Sequence, residues 1–124
     1  MIGYTSVGTS DIARASAYYD ALFEGIGARR LFDSKTFVAW GRDTDSPAFA
    51  VAIPYDGNPA TVGNGVMIAI ALRTPEQVAA FHARALELGG SDEGGPGDRG
   101  NGFYAAYFRD LDGNKLNAFC RTGD

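Results

Sequence analysis

Few side chains in this sequence could do chemistry, and their types point to binding before reaction. Histidine and cysteine each occur once, as His82 and Cys120. An imidazole can act as a general base. His82, however, falls within a helical stretch beside Phe81 and is expected to pack at a helix–sheet or subunit boundary. Cys120 closes a strand on the face of Leu116 and Ala118, where an inert buried thiol is expected. Residues 94–102 are rich in glycine but lack the Gly-Lys-Ser/Thr ending of a phosphate loop. Nucleotide binding is therefore excluded, and Arg99 in that segment remains available to an anionic ligand. The aromatic residues Phe37, Trp40 and Phe49 in the first half, and Phe103, Tyr104, Tyr107 and Phe119 in the second, must divide between a core and a wall for a flat or apolar ligand. Strand parity read from the sequence does not divide them.

The elements that must position these residues occur twice. Residues 2–27 and 65–90 superimpose at a constant offset of 63. Tyr4 falls on Met67, Asp11 on Thr74, Tyr18 on Phe81, Tyr19 on His82, Phe23 on Leu86 and Gly27 on Gly90. A duplicated module usually builds its site where its copies meet. Residues 2–8 alternate with period 2, with Thr5 and Val7 on one face and Tyr4 and Ser6 on the other. Asp11 or Ser10 is a good N-cap, because its side-chain oxygen can accept a free first-turn N–H. Ile12, Ala15, Tyr19 and Leu22 then recur at helical spacing, until Gly25 and Gly27 stop the helix. In the second copy Thr74 caps, Pro75 suits the first helical position and Gln77 completes a capping box. Val78, Phe81, Ala85 and Leu88 form its buried stripe.

Strands are expected over residues 28–33, 36–42 and 47–53, then 65–72, 103–109 and 115–120. Residues 110–114 form a turn in which Gly113 supplies a positive φ. Residues 54–64 read as a linker. The five glycines of residues 91–102 leave room for one short edge strand only. The pattern is β-α-β-β-β twice, an α+β domain. Module 1 covers about residues 1–57 and module 2 about residues 65–124.

A hydrophobic fraction of 45% is that of a folded globular chain. The formal net charge of -4 and pI near 4.8 argue against nucleic acid, which needs a concentrated basic surface. The longest apolar run, residues 66–72, is far short of the roughly 20 residues of a membrane span. No signal peptide pattern opens the chain. A lone cysteine excludes an intrachain disulfide, and a cytoplasmic location is expected.

Three stretches carry a resemblance to a known family: Thr9-Ser10-Asp11-Ile12 leading to Tyr18-Tyr19; Gly63-Asn64-Gly65; and Phe108-Arg109-Asp110-Leu111-Asp112-Gly113-Asn114. The last is similar to a Phe-Arg-Asp-Pro-Asp-Gly-Asn turn, with Leu111 in place of proline. Together with the paired modules, they resemble the vicinal oxygen chelate superfamily, which includes glyoxalase I, extradiol dioxygenases and bleomycin-resistance proteins. The resemblance spans the whole chain as one glyoxalase-like domain. It implies a curved, cup-shaped mixed sheet with helices on its outer face, and a homodimer paired through sheet edges or exchanged modules.

Metal-using relatives hold a divalent ion with a His on the first strand of each module and a Glu on the last. Carried over, the His positions are Tyr4 and Met67, one Glu position is Asn117, and residues 49–51 contain no acid for the other. A phenol, a thioether and an amide make a poor site for hard or borderline cations, so no metal and no cofactor are expected. The expected ligand set is Tyr4, Ser6, Trp40, Met67, Arg99, Asn117 and Phe119. The leading expectation is a metal-independent protein binding an aromatic or cationic small molecule, the latter favoured weakly by the net charge. The alternative is a glyoxalase-like lyase with atypical or absent metal ligation, in which Tyr4 and His82 are the acid–base candidates but neither has an evident activating partner. A third is a vestigial cup whose role passes to a dimer surface.

Overall fold

The computed structural model of the chain describes residues 1–123. Among these, two helices and eight strands form two compact units, Met1–Gly63 and the residues from Asn64 on. The first contains β1 (Tyr4–Gly8), α1 (Ile12–Glu24), β2 (Arg29–Asp33), β3 (Phe37–Gly41) and β4 (Ala48–Ala52). The second contains β5 (Ile68–Ala71), α2 (Pro75–Glu87), β6 (Ser91–Asp98), β7 (Phe103–Arg109) and β8 (Lys115–Arg121). Each unit is one four-stranded mixed sheet, ordered β1-β4-β3-β2 and β5-β8-β7-β6. The crossover helix makes the first and last strands parallel neighbours, and the remaining pairs are antiparallel. This is the expected duplicated α+β architecture. None of the described helices is long and apolar enough to cross a membrane.

The offset of 63 holds residue for residue in the helices. α1 and α2 are each 13 residues long, capped by Asp11 and Thr74. The Asp11 carboxylate accepts the Arg14 N–H at 3.0 Å, and the Thr74 hydroxyl accepts the Gln77 N–H at 3.1 Å. Gln77 reaches back one residue further than a capping box requires, accepting from the Arg73 N–H at 2.9 Å.

In the first unit Tyr19, Leu22 and Phe23 of α1 pack on Val38, Trp40, Phe49 and Val51, all buried. The Tyr19 ring lies 4.7 Å from Phe49 and 5.6 Å from Trp40. Burying each such side chain is worth roughly 1.5–3 kcal/mol before the entropy of ordering it is subtracted. In the second unit Val78, Phe81 and Ala85 cover Ala106, Phe108, Leu116 and Ala118, with Phe81 6.0 Å from Phe108. Cys120 is buried on this same side of β8.

One sequence reading needs correction here. The glycine-rich stretch after α2 is not a loop with one short strand but the eight-residue β6, paired with β7. The register shifts between Asp92 and Gly94 and again between Gly94 and Gly97, so the surplus residues are absorbed as bulges, with Gly94 at φ +151. Glycine tolerates such a bulge, and the ladder with β7 supplies order that local propensity does not. The stretch after β4, read from sequence as the linker between the modules, groups with the first unit as far as Gly63. There Ser10 Oγ accepts the Ala60 N–H at 2.8 Å. The 110–114 turn forms as expected: the Asp110 carboxylate accepts the N–H groups of Asp112 and Asn114 at 2.9 Å, and Gly113 has φ +88.

Asp20 fastens α1 to two neighbouring strands beneath it, the edge strand β2 and the inner strand β3. Its carboxylate accepts Arg30 Nε and Nη2 from β2 at 2.9 and 2.7 Å, and Trp40 Nε1 from β3 at 2.9 Å. The Arg30 hydrogen bonds above all, with help from Trp40, hold its carboxyl below the ordinary carboxylate value. Asp20→Ala orphans the buried Trp40 N–H, and about 1–3 kcal/mol of stability is expected to be lost in urea unfolding at neutral pH. A lowered folded-state pKa stabilises fully above the ordinary value of 3.8 and fades as pH falls through the folded value. The gap between wild type and variant is therefore expected to close in strong acid.

Candidate functional site

Each helix covers one side of its sheet, and pleating assigns the other side residue by residue. In the first unit that helix-free face carries Tyr4 and Ser6 on β1, Ala48, Ala50 and Ala52 on β4, Phe37 and Ala39 on β3, and Phe32 on β2. The alanines form a low floor. Three aromatic rings stand on it: Tyr4 and Phe37 meet edge to face at 5.7 Å, and Phe32 and Phe37 at 5.9 Å. Tyr4 is 62% exposed, so its ring is a wall and not core.

On the second unit the equivalent face carries Ala69 and Ala71 on β5, Asn117, Phe119 and Lys115 on β8, and Phe103, Ala105, Tyr107 and Arg109 on β7. Phe103 and Phe119 stack at 5.2 Å. Asn117 stands directly across from Tyr107 and beside Ala69. It is 1% exposed, and its Oδ1 has no hydrogen-bond partner. A buried acceptor left in this state costs stability, roughly 1–3 kcal/mol.

The expected ligand residues fall as follows. Tyr4 and Ser6 share the helix-free face of the first sheet, while Asn117 and Phe119 share that of the second. Arg99 follows β6 and lies over the Tyr107 ring, 5.4 Å from its centre. Met67 precedes β5, outside its ladder, and is 40% exposed. Trp40 does not join the set. It is 1% exposed beneath α1, against Tyr19 and Phe23, with its indole N–H on Asp20. Phe49 is core for the same reason. Phe32 and Lys115 were not singled out from sequence, although period 2 from Asn117 would have placed Lys115 on its face.

The metal positions carried over from the resemblance hold Tyr4, Met67 and Asn117, and residues 49–51 are Phe, Ala and Val. Among the described residues no three His, Cys, Asp or Glu side chains cluster where they could hold an ion. The donor set does not fit a divalent metal centre.

His82 is 5% exposed, and its Nε2 lies 3.1 Å from both Asp92 Oδ1 and the Tyr107 carbonyl. Both partners are acceptors, so this nitrogen carries the proton and donates. The Gly94 N–H, and then His82, hold the Asp92 carboxyl below its ordinary value. The imidazole is thus a tie from α2 to β6 and β7.

A family model described as the Glyoxalase/Bleomycin resistance protein/Dioxygenase superfamily matches residues 1–118. No curated protein matches the sequence significantly. Among solved structures, a glyoxalase/bleomycin resistance protein from Albidiferax ferrireducens is 36% identical, covers 98% of each chain and superimposes with a TM-score of 0.89. A lactoylglutathione lyase from Agrobacterium tumefaciens shares the fold at 18% identity and TM-score 0.70, over 97% of this chain and 92% of its own. An antibiotic binding protein from a Streptomyces species does so at 20% identity and TM-score 0.70, over 98% and 96%.

Replacing His82 by Ala is expected to cost about 1–3 kcal/mol in chemical unfolding, because Asp92 and the Tyr107 carbonyl lose a buried donor. Small-molecule binding by the folded variant is expected to be unchanged, and a loss of binding without loss of stability would assign His82 to the site.

Proposed function

Since the chain belongs to the glyoxalase/bleomycin resistance protein/dioxygenase superfamily, we propose that it is a metal-independent small-molecule-binding protein that takes an aromatic compound on the helix-free face of its second sheet. The carrying observation is Asn117: a buried amide oxygen without a partner, on a face that carries alanine, aromatic rings and, at one end, Lys115 and Arg109. Apolar surfaces with a few convergent polar groups are ordinary ligand sites. The Tyr4, Phe37 and Phe32 rings offer the same chemistry on the first sheet. The fold alone does not choose a role, since structures with the same fold are described as a lyase and as an antibiotic binding protein. The residues favour binding: the metal positions lack donors, and the lone histidine is committed to a structural tie. Of the two ligand chemistries expected from sequence, the aromatic one has support. The second face presents Lys115 and Arg109 where a cation would need carboxylates.

A melting-shift screen of aromatic compounds tests the reading. A ligand at 100 times its Kd adds about 2.7 kcal/mol, a readily measured rise in Tm. Phe119→Ala and Asn117→Leu are expected to reduce that rise, with Asn117→Leu at least as stable as wild type without ligand. Stoichiometric bound metal, or a clear stabilisation by Zn²⁺, Ni²⁺ or Mn²⁺, would overturn metal independence and favour the lyase reading.

The protein is also proposed to be a homodimer. Each sheet ends in two edge strands, and Ile2, Val62 and Val66 are exposed apolar side chains that an interface would cover. Light scattering at micromolar concentration is expected to give twice the 13.1 kDa chain mass, and a monomer refutes it.

A further inference from the structure

We propose that Arg99 and Lys115, which flank Tyr107 on the helix-free face of the second sheet, bind the anionic head group of the aromatic ligand, so that the compound taken is an aromatic acid. This rests on the aromatic-binding reading above and adds its charge. Arg99 approaches the Tyr107 ring with its guanidinium carbon 5.4 Å from the centroid, and Lys115 does so with Nζ at 5.6 Å. Among the described residues neither cation pairs with a carboxylate. Arg109 on the same face differs: its Nε lies 3.4 Å from Glu93, and its Nη1 donates to the Gly113 carbonyl at 2.8 Å.

The glycines of β6 explain how Arg99 gets there. A Cβ at Gly97 would lie 2.8 Å from Arg99 Nη1, and one at Gly94 would lie 3.4 Å from Nη2. The strand is bare where the guanidinium crosses it. A single bond from Nη2 to the Gly95 carbonyl, 2.7 Å long, fixes the side chain. A guanidinium has five N–H donors, so most of the fork remains for an acid.

The face grades from charge to ring. Lys115 and Arg109 are opposite one another at one end, Tyr107 and Asn117 follow, and Ala105 and Phe119 come next. Four residues along a strand span about 13 Å, the length of a two-ring acid. With its head group at Lys115 and Arg99, such a ligand lays its rings toward Phe119 and Phe103 and passes the Asn117 oxygen, which can accept an N–H or O–H from it. The net charge of -4 does not oppose this. Charges beyond about 8 Å are largely screened at physiological salt, whereas the two cations act in contact.

Calorimetry with the full chain tests the proposal, using 2-naphthoate and 2-naphthyl phosphate against the uncharged 2-naphthamide. Either anion is expected to bind at least about tenfold tighter than the amide, with a preference that shrinks as salt rises. The tighter of the two identifies the head group. In Arg99→Gln/Lys115→Gln the preference of either anion over the amide is expected to vanish. Lys115→Gln alone, which disturbs no hydrogen bond of the fold, should reduce it. Amide binding as tight as either acid overturns the anion site and leaves the aromatic reading standing. A preference that survives in the folded double variant overturns the assignment to these residues. Failure of all three probes to bind overturns both readings.

Discussion

One helix can cover only one face of a four-stranded sheet, and among the described residues each unit has one helix. Everything else follows from that constraint. On the covered side the strands carry Val, Phe, Trp and Leu, which the helix seals from water. On the other side the same strands carry alanine, with aromatic and polar groups standing above it. A second hydrophobic face of large side chains would demand another layer. Small residues instead keep the face low and give it the relief of a binding surface.

Both units solve a second problem in the same way. A helix 13 residues long must also be fixed in place on its sheet, and here it is tied to two neighbouring strands, one of them an edge strand. In the first unit Asp20 reaches Arg30 on β2 and Trp40 on β3. In the second His82 reaches Asp92 on β6 and the Tyr107 carbonyl on β7. The residues are not equivalent in the repeat, since His82 aligns with Tyr19, yet each is one polar side chain tying its helix to the corresponding strand pair. Duplication conserved the architectural need while the chemistry that meets it diverged.

The same divergence shaped the candidate site. Related metal enzymes derive paired ligands from their paired modules; here those positions are a phenol, a thioether and an amide. The two helix-free faces have also become unlike one another. The first is an aromatic wall on an alanine floor. The second is polar and cationic around Tyr107, with one buried amide oxygen unsatisfied.

The sequence by itself determined the helices with their caps, the β-α-β-β-β order and the Asp110–Asn114 turn, because each rests on contacts within a few residues of chain: a cap, a glycine stop, an aspartate accepting from the N–H groups just after it. It also placed Tyr4 with Ser6, since alternation along one strand is local. Tertiary structure decided what depends on a partner distant in sequence. β6 is a strand because β7 supplies its ladder, against the weak propensity of its glycines. Trp40 is core and Phe37 is wall because pairing with β4, at Phe49 and Ala52, sets which pleat meets α1. Arg99 joins Tyr107, and Asn117 Oδ1 stays unpaired, only after β6, β7 and β8 are in register. No local pattern encodes such meetings, because they are set by hydrogen bonding between strands and by which face the helix happens to seal.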